Sequence, residues 1–257
     1  MTGNNTTVHA ASNPYETDLL VSQYCEFHYG EDYFGIGNFP ATCARLCIEH
    51  LGERSKLRAL ELGCAVGRAT FELARVFAHV IGVDYSKRFI AVADELRVTG
   101  GLSYQVPVEG DLAVSVERNL SAFGLEPART RVEFLSADAM ALPTGLTGFD
   151  LIFAGNLIDR LPRPRLFLSS IHERLNPGGL LVLTSPYTWL PEFTPREEWL
   201  GGYTRNGREI SSLEGLKESL CPHFTLSDDP VDVPFVLRET ARKYQHTVAQ
   251  MSVWLRA

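Results

Sequence analysis

The chain has 257 residues, 45% of them hydrophobic, which is enough apolar material for one large core or for one domain with appendages. Its net charge of −7, with no cluster of basic residues, argues against a nucleic-acid substrate. No apolar run approaches the roughly 20 residues of a membrane span, so no membrane partner is expected. Five cysteines without framework spacing favour a reducing, cytoplasmic location.

The N-terminal part of the chain is predicted to be a cap over a ligand cleft. Residues 1–12 are small and polar, show no signal-peptide pattern, and are expected to be disordered. Residues 13–57 contain a helical pattern and six aromatic residues close together, which we interpret as a lid over a flat polar ligand. Simple packing on the edge of a sheet is the alternative. Cys43 and Cys47 have no matching Cys or His pair, so we expect buried side chains and no metal.

A short strand, a glycine turn and a helix follow the cap. Ala59 to Leu62 reads as a buried strand, Gly63 to Gly67 as a tight turn, and the apolar spacing up to Phe77 as a helix. Asp84 ends the next strand, where a carboxylate can accept hydrogen bonds from the two hydroxyls of a ribose.

The residues of this turn bear on which nucleotide it binds. A dinucleotide fingerprint starting at Gly63 would need glycines at Ala65 and Arg68. Glu61, at the lip of the turn, would repel a pyrophosphate but suits a ligand that carries an ammonium and a sulfonium.

The pattern Glu61-x-Gly63-x-x-x-Gly67 followed by Asp84 resembles the first two motifs of class I S-adenosylmethionine methyltransferases. The resemblance implies S-adenosylmethionine as cofactor and S-adenosylhomocysteine as product. A glycine-rich turn that binds nothing is the alternative. The cofactor-binding residues expected on this basis are Glu61, Gly63, Cys64, Ala65, Gly67, Asp84, Tyr85, Ser86, Asp138, Ala139 and Asn156.

The central strands predict further polar groups at the same edge of the sheet. Residues 98–131 read as an insertion with a helix from Ala113 to Leu120. The third strand leads to Asp138, which could accept the adenine amino group or only cap a helix. The fourth strand, Phe149 to Ala154, is followed by Asn156, Asp159 and Arg160, which we expect to face the transferred methyl.

The last third of the chain predicts a closing hairpin with a reversed last strand. If its first strand is parallel to the others, Arg238, Lys243 and Tyr244 lie on the ligand side, although solvated turn residues are an equal possibility. The whole pattern predicts one α/β, Rossmann-like methyltransferase domain over residues 13–257, with a mostly parallel seven-stranded sheet, helices on both faces and an N-terminal helical lid.

Three segments together resemble a narrower family. They are Asn13-Pro-Tyr-Glu-Thr with Tyr24-x-x-Phe-His-Tyr-Gly30, the turn Glu61-Leu-Gly-Cys-Ala-Val-Gly-Arg68, and Arg238-Glu-Thr-Ala-Arg-Lys-Tyr-Gln245. The combination resembles the 4-mercaptohistidine (5-thiohistidine) N-methyltransferase family of ovothiol biosynthesis. The family's sulfoxide synthase part, with its iron-binding histidines, is absent, which suggests a freestanding enzyme or an excised domain. The resemblance implies methylation of the imidazole π nitrogen to give ovothiol A, in functional partnership with a sulfoxide synthase and a lyase.

On that interpretation a thiolate makes the ring electron-rich, and the pocket must aim nitrogen rather than sulfur at the methyl group. Asn156, Asp159 and Tyr29 are the candidate catalytic residues. The candidate substrate-binding residues are Phe27, His28, Tyr29, Phe39, Arg160, Tyr187, Arg238 and Tyr244. A methyltransferase for another small aromatic acceptor, a non-catalytic cofactor-binding module, and a dehydrogenase are the remaining alternatives.

Overall fold

The computed structural model describes residues 14–257, so the predicted disorder of residues 1–12 lies outside the described residues. The α-helices of this part are α1 (Asp18–Tyr29), α2 (Phe39–Leu51), α3 (Arg68–Leu73), α4 (Lys87–Thr99), α5 (Pro164–Ser170) and α6 (Ser212–Leu220). Its strands are β1 (Arg58–Leu62), β2 (His79–Asp84), β3 (Gly101–Glu109), β4 (Leu112–Asn119), β5 (Val132–Ser136), β6 (Phe149–Gly155), β7 (Leu175–Ser185), β8 (Tyr203–Arg205), β9 (Arg208–Ile210), β10 (Phe224–Leu226), β11 (Val231–Arg238) and β12 (Tyr244–Arg256).

The central sheet has the order β10-β12-β7-β6-β1-β2-β5, and β11 pairs with β12 next to β10. Strands β5, β2, β1, β6 and β7 are parallel, whereas β12 runs antiparallel to β7. The predicted α/β fold with a mostly parallel sheet and a reversed last strand is therefore confirmed. The sheet has eight strands where seven were predicted, because the outer edge of β12 is shared by β10 and β11.

Burial explains why β1 and β6 lie at the centre of the sheet. Ala59, Leu60 and Leu62 of β1 are fully buried, and β6 is buried from Phe149 to Ala154. Strands covered on both faces are typical of parallel sheets. One apolar cluster contains residues from α1 to α4 and the other contains residues from α5 and α6, so helices cover both faces. None of the described helices is both long and apolar enough to cross a membrane.

The predicted helix from Ala113 to Leu120 is wrong. Residues 101–119 form the antiparallel hairpin β3–β4, within the segment predicted as an insertion. Alternate residues Leu102, Tyr104 and Val106 are buried in the core, a period of two that a strand requires and a helix cannot supply.

The second hairpin, β11–β12, extends past the carboxyl ends of the parallel strands. Gln250 pairs with Ser185 at the end of β7, and the six residues of β12 before Gln250 pair only with β11. Because β12 is antiparallel to both neighbours, β11 is parallel to β7. The turn at residues 239–243 therefore lies on the side where ligands bind α/β sheets.

Candidate active site

The glycine turn after β1 is fastened to the end of β2. The amides of Gly63 and Cys64 both donate to the carbonyl of Val83, at 2.8 and 3.0 Å. The amide of Ala65 donates to Oδ2 of Asp84 at 2.9 Å. Gly63 has φ of 74°, which favours glycine, and Ala65 adopts φ of 45° despite its Cβ. This left-handed backbone brings the ends of β1 and β2 together at the carboxyl edge of the sheet.

Two amides at the start of α3 already donate to groups within the protein. The amide of Arg68 donates to Nδ1 of His28 at 3.3 Å, and the amide of Gly67 donates to Cys64 at 2.8 Å. His28 is buried, and burial together with the nearby Arg68 guanidinium lowers its pKa to about 3, so the imidazole is neutral and can accept this bond. Since backbone amides at a helix N-terminus are what a pyrophosphate needs, their internal use supports the rejection of a dinucleotide.

Asp84 fits the ribose end of S-adenosylmethionine. Its Oδ1 accepts from the amide of Ser86 at 2.9 Å, and its Oδ2 accepts from Ala65, so the carboxylate is held rigidly. Each oxygen keeps a further lone pair for a hydroxyl group. Burial raises the pKa of Asp84. Ser86 is buried and caps α4, whereas the ring of Tyr85 is exposed beside the turn.

Glu61 lies beneath the turn, not at its lip as predicted. Its carboxyl group is buried and Oε2 accepts from the hydroxyl of Thr70 on α3. Burial raises its pKa to about 8, although the Thr70 hydrogen bond lowers it. The side chain therefore connects β1 to α3, and it can affect a cationic ligand only by electrostatic attraction without direct contact. Together with Asp84 it gives this edge of the sheet carboxyl groups whose charged form a bound sulfonium cation would stabilise.

Strained backbone marks the ends of the next two strands. Asn156 after β6 has φ of 49°, and Tyr187 after β7 has φ of 53°. The amide of Asn156 donates to the carbonyl of Thr184 at 2.9 Å, while its Oδ1 accepts from the Thr184 hydroxyl at 3.2 Å. The Tyr187 hydroxyl donates to Oε1 of Gln250 at 3.1 Å. Non-glycine residues in this region cost energy and cluster at functional sites, so both are well placed to line the cleft.

Asp159 and Arg160 form an internal ion pair. Asp159 is completely buried; its Oδ2 accepts from Nη1 of Arg160 at 2.9 Å and from the amide and hydroxyl of Thr188. Its Oδ1 has no hydrogen-bond partner among the described residues, and burial raises its pKa. Arg160 also donates to the carbonyl and hydroxyl of Thr188. The unpaired Oδ1 could accept from a ligand N–H, whereas the donors of Arg160 are largely used.

Part of the predicted aromatic lid belongs to the hydrophobic core. Tyr29 is 1% exposed and its hydroxyl donates to the carbonyl of Val66 at 2.9 Å, while Phe39 is 5% exposed. Both are candidate substrate-binding residues, but here their rings are buried and pack α1 and α2 onto the sheet. Phe27 is only partly buried and contacts Phe39 and Phe235. It is the ring of this group that remains open to a ligand.

The remaining predicted residues lie farther around the site. Asp138 is exposed and its Oδ1 accepts from Met140, so it caps a short 3₁₀ turn that includes the half-buried Ala139. Tyr244 packs against Tyr33, with ring centroids 5.1 Å apart. Lys243 pairs with Glu239 within the hairpin turn and points to solvent, which is not the predicted position facing the cleft.

Sequence reasoning missed several residues that shape this site. Thr70 and Thr184 hold Glu61 and Asn156, and Thr188 holds Asp159. Tyr24 of α1 lies near Asp84 and Arg160, whose charges act on its hydroxyl, and burial raises its pKa. The only sequence signal for Tyr24 was its place in the aromatic cluster. The missed residues are Tyr24, Thr70, Thr184, Thr188 and Gln250.

Comparison with known proteins agrees with this geometry. A family model described as a methyltransferase domain matches residues 60–183. A demethylmenaquinone methyltransferase of Lactococcus lactis is 27% identical over 52% of this chain and 44% of its own length. A phosphoethanolamine N-methyltransferase of Zea mays is 25% identical over 84% of this chain and 38% of its own length. The chain thus spans less than half the length of these relatives.

Solved structures show the same fold. The N-methyltransferase NodS of Bradyrhizobium japonicum, solved with S-adenosylhomocysteine, superposes with a TM-score of 0.53 at 15% identity, covering 93% of this chain and 99% of that one. A S-adenosylmethionine-dependent methyltransferase of Clostridium acetobutylicum gives 0.54 at 14% identity, covering 85% and 92%. The protein has the class I methyltransferase fold, and its residues 60–183 match the model of a methyltransferase domain.

Proposed function

We propose that this protein methylates the imidazole π nitrogen of 5-thiohistidine, giving ovothiol A. The observation that carries the proposal is that the three segments resembling the thiohistidine N-methyltransferases contact one another around the cofactor edge. Tyr29 of the first segment donates to Val66 of the second at 2.9 Å. Arg238 of the third approaches Glu26 of the first at 3.6 Å. Segments far apart in sequence thus contact one another in the fold.

The bound cofactor supplies an electrophilic methyl group on a sulfonium. The residues of the chain then have to hold a ring nitrogen in line with that methyl, at a separation of about 3–3.5 Å. A thiolate-bearing imidazole becomes neutral when its nitrogen gains the methyl, so no protein base has to remove a proton. Asp159, whose Oδ1 has no hydrogen-bond partner among the described residues, would orient a ring N–H instead.

Selectivity for nitrogen over sulfur is the task we assign to Asn156. Its backbone and carbonyl oxygen are fixed by Thr184, which leaves the side-chain amide N–H groups to contact the acceptor. An Asn156→Ala variant should lose activity and form some S-methyl product. Full activity with unchanged product would remove Asn156 from this role.

The same proposal places the enzyme after two other activities. A sulfoxide synthase and a lyase would supply the thiohistidine. A reducing cytoplasm would keep both the acceptor and the buried cysteines as thiols.

A second candidate is methylation of another small aromatic ring. It is favoured by the names of the relatives, which include a demethylmenaquinone and a ubiquinone-biosynthesis methyltransferase, and by the partly open ring of Phe27. Unlike thiohistidine, a quinol carries no amino-acid head group and needs its hydroxyl deprotonated.

Formation of S-adenosylhomocysteine with a panel of acceptors distinguishes these functions. The panel contains 5-thiohistidine, histidine as the matched acceptor without sulfur, and a soluble catechol as the quinol-like acceptor. Turnover with thiohistidine alone is the expected result. Turnover with the catechol alone would favour the second candidate, and cofactor binding without turnover on any acceptor would contradict the thiohistidine proposal.

A further inference from the structure

We propose that a recess between residues 31–38 and β11 binds the α-amino-acid head group of the acceptor. Arg238 would contact the carboxylate, and Glu31 and Asp32 would contact the ammonium group. The inference rests on the proposed thiohistidine substrate, and it names the residues that recognise the part of that molecule farthest from the reacting ring.

The recess has groups of both charges on its walls. It is narrow and partly open to solvent; its enclosed part, about 10 Å³, has room for about one water molecule, so the head group would occupy its mouth. Arg238 lines it from β11, Glu31 and Asp32 line it from the loop after α1, and Phe27 lines it from α1. A site for an anion alone would not need two carboxylates, whereas a zwitterion is bound by positive and negative side chains together.

Arg238 has an oriented guanidinium with one unused edge. Its Nε donates to the carbonyl of Thr240 at 3.2 Å, and its Nη1 donates to the hydroxyl of Tyr33 at 3.2 Å. Its Nη2 makes no hydrogen bond to any residue between 14 and 257, and the side chain is 19% exposed. A held guanidinium with free N–H groups is suited to bind a carboxylate.

Arg160, the other cation considered for this role, is less suitable. Both of its terminal nitrogens donate to neighbouring groups, namely Asp159 and Thr188. Arg238 also lies near a buried carboxylate, Glu26 at 3.6 Å, but its Nη2 keeps its N–H groups free of the described residues. The structure therefore favours Arg238.

The carboxylates of the recess differ in whether they already accept hydrogen bonds from the protein. Glu26 is 5% exposed, and its two oxygens accept from the hydroxyls of Tyr33 and Tyr104. Glu31 and Asp32 are exposed and form no hydrogen bond or ion pair with the side chain of another described residue. Glu26 therefore stabilises the wall, while Glu31 and Asp32 remain able to bind an ammonium group.

An aromatic wall leads from the recess towards the cofactor. Phe27 contacts Tyr24, with ring centroids 6.2 Å apart, and the hydroxyl of Tyr24 lies within the electrostatic influence of Asp84. An acceptor whose head group is bound by Arg238 could extend its flat ring along Phe27 and Tyr24. The recess would thus fix one end of the substrate and orient the other.

The test combines variants with acceptors that lack one head-group charge. Methylation of 5-thiohistidine is compared with that of its decarboxylated analogue, 5-thiohistamine, and of its N-acetyl derivative. The enzymes are the wild type, Arg238→Gln, the double variant Glu31→Gln with Asp32→Asn, and the matched control Arg242→Gln. Arg242 is an exposed arginine of the same hairpin turn that does not line the recess. Affinity for S-adenosylmethionine reports whether each variant is folded.

We expect the wild type to lose about 10- to 100-fold in kcat/KM when the acceptor carboxylate is absent, the range for a hydrogen bond to a charged group. Arg238→Gln should lose the same factor on thiohistidine and little on thiohistamine. The Glu31 and Asp32 double variant should lose discrimination against the N-acetyl derivative, and Arg242→Gln should match the wild type.

Two results would overturn the inference, and they are distinguishable. Methylation of all three acceptors with equal efficiency, or an equal loss on all three in Arg238→Gln, would refute the recess and leave thiohistidine methylation intact. If Arg238→Gln also loses cofactor affinity, the double variant of the exposed Glu31 and Asp32 decides. Unchanged discrimination against the N-acetyl derivative in that variant would then refute the recess. No methylation of thiohistidine by the wild type would overturn both proposals.

Discussion

Ionisation of Glu61 should make cofactor affinity depend on pH. Burial raises the pKa of this carboxyl to about 8, so most of it is protonated at pH 7 before the cofactor binds. A nearby cationic ligand stabilises the charged form and lowers this pKa. Binding should therefore release a proton from Glu61, and affinity should increase as the pH rises towards 8.

The magnitude follows from linkage. Each pH unit below the raised pKa weakens binding by at most about tenfold, or about 1.4 kcal/mol. Between pH 6 and pH 8 the upper limit is about 50-fold for a pKa of about 8. Above pH 8 this contribution should level off.

Titration calorimetry of S-adenosylmethionine between pH 6 and 9, in buffers of different ionisation enthalpy, measures both affinity and protons released. The matched control is Glu61→Gln, whose Oε1 can still accept from the Thr70 hydroxyl but which does not titrate. The ligand's own amino group, with a pKa of about 7.7–8.0, and the carboxyl of Asp84 contribute equally to both proteins. Parallel pH profiles for wild type and variant would refute the role assigned to Glu61.

Three further predictions concern stability and the cofactor. Gly67→Ala should destabilise the fold by about 2–5 kcal/mol in urea unfolding, because the added Cβ would lie 2.6 Å from the Phe134 ring at φ of 85°. The control Gly35→Ala, with φ of 75° and open space around it, should cost about 1–2 kcal/mol. Equal losses in the two variants would contradict the steric argument. His28, whose folded pKa is lowered to about 3, favours the fold while neutral, so its contribution should fall by about 2 kcal/mol between pH 6.5 and pH 5, a loss that a His28→Gln variant should not show. Asp84→Asn should weaken cofactor binding by about 10- to 100-fold in calorimetry without unfolding the protein, and unchanged affinity would exclude Asp84 from the ribose site.

The sequence was sufficient for the parts of the fold that local patterns determine. The strand before Gly63, the strand ending at Asp84 and the helix capped by Ser86 all follow from apolar runs, a glycine turn and a side chain that accepts from the amide of Phe89. Helix α6 is likewise determined locally, because Ser211 and Glu214 form a capping box at its start.

Other features depended on tertiary contacts that no local pattern contains. Residues 112–119 show no alternation regular enough to exclude a helix, and pairing with β3 decides for a strand. Glu61 was expected near the ligand, but in β1 it points towards Thr70 of α3. Tyr29 became a core residue because its hydroxyl reaches Val66, which lies 37 residues away.

The most direct test of the central claim is to locate the transferred methyl group. Incubation of the protein with 5-thiohistidine and S-adenosylmethionine carrying a ¹³C-labelled methyl, followed by two-dimensional NMR of the product, identifies the atom to which the carbon is bonded. The account predicts one labelled methyl on the π nitrogen of the ring. A methyl on sulfur or on the other ring nitrogen, or no labelled product, would contradict it.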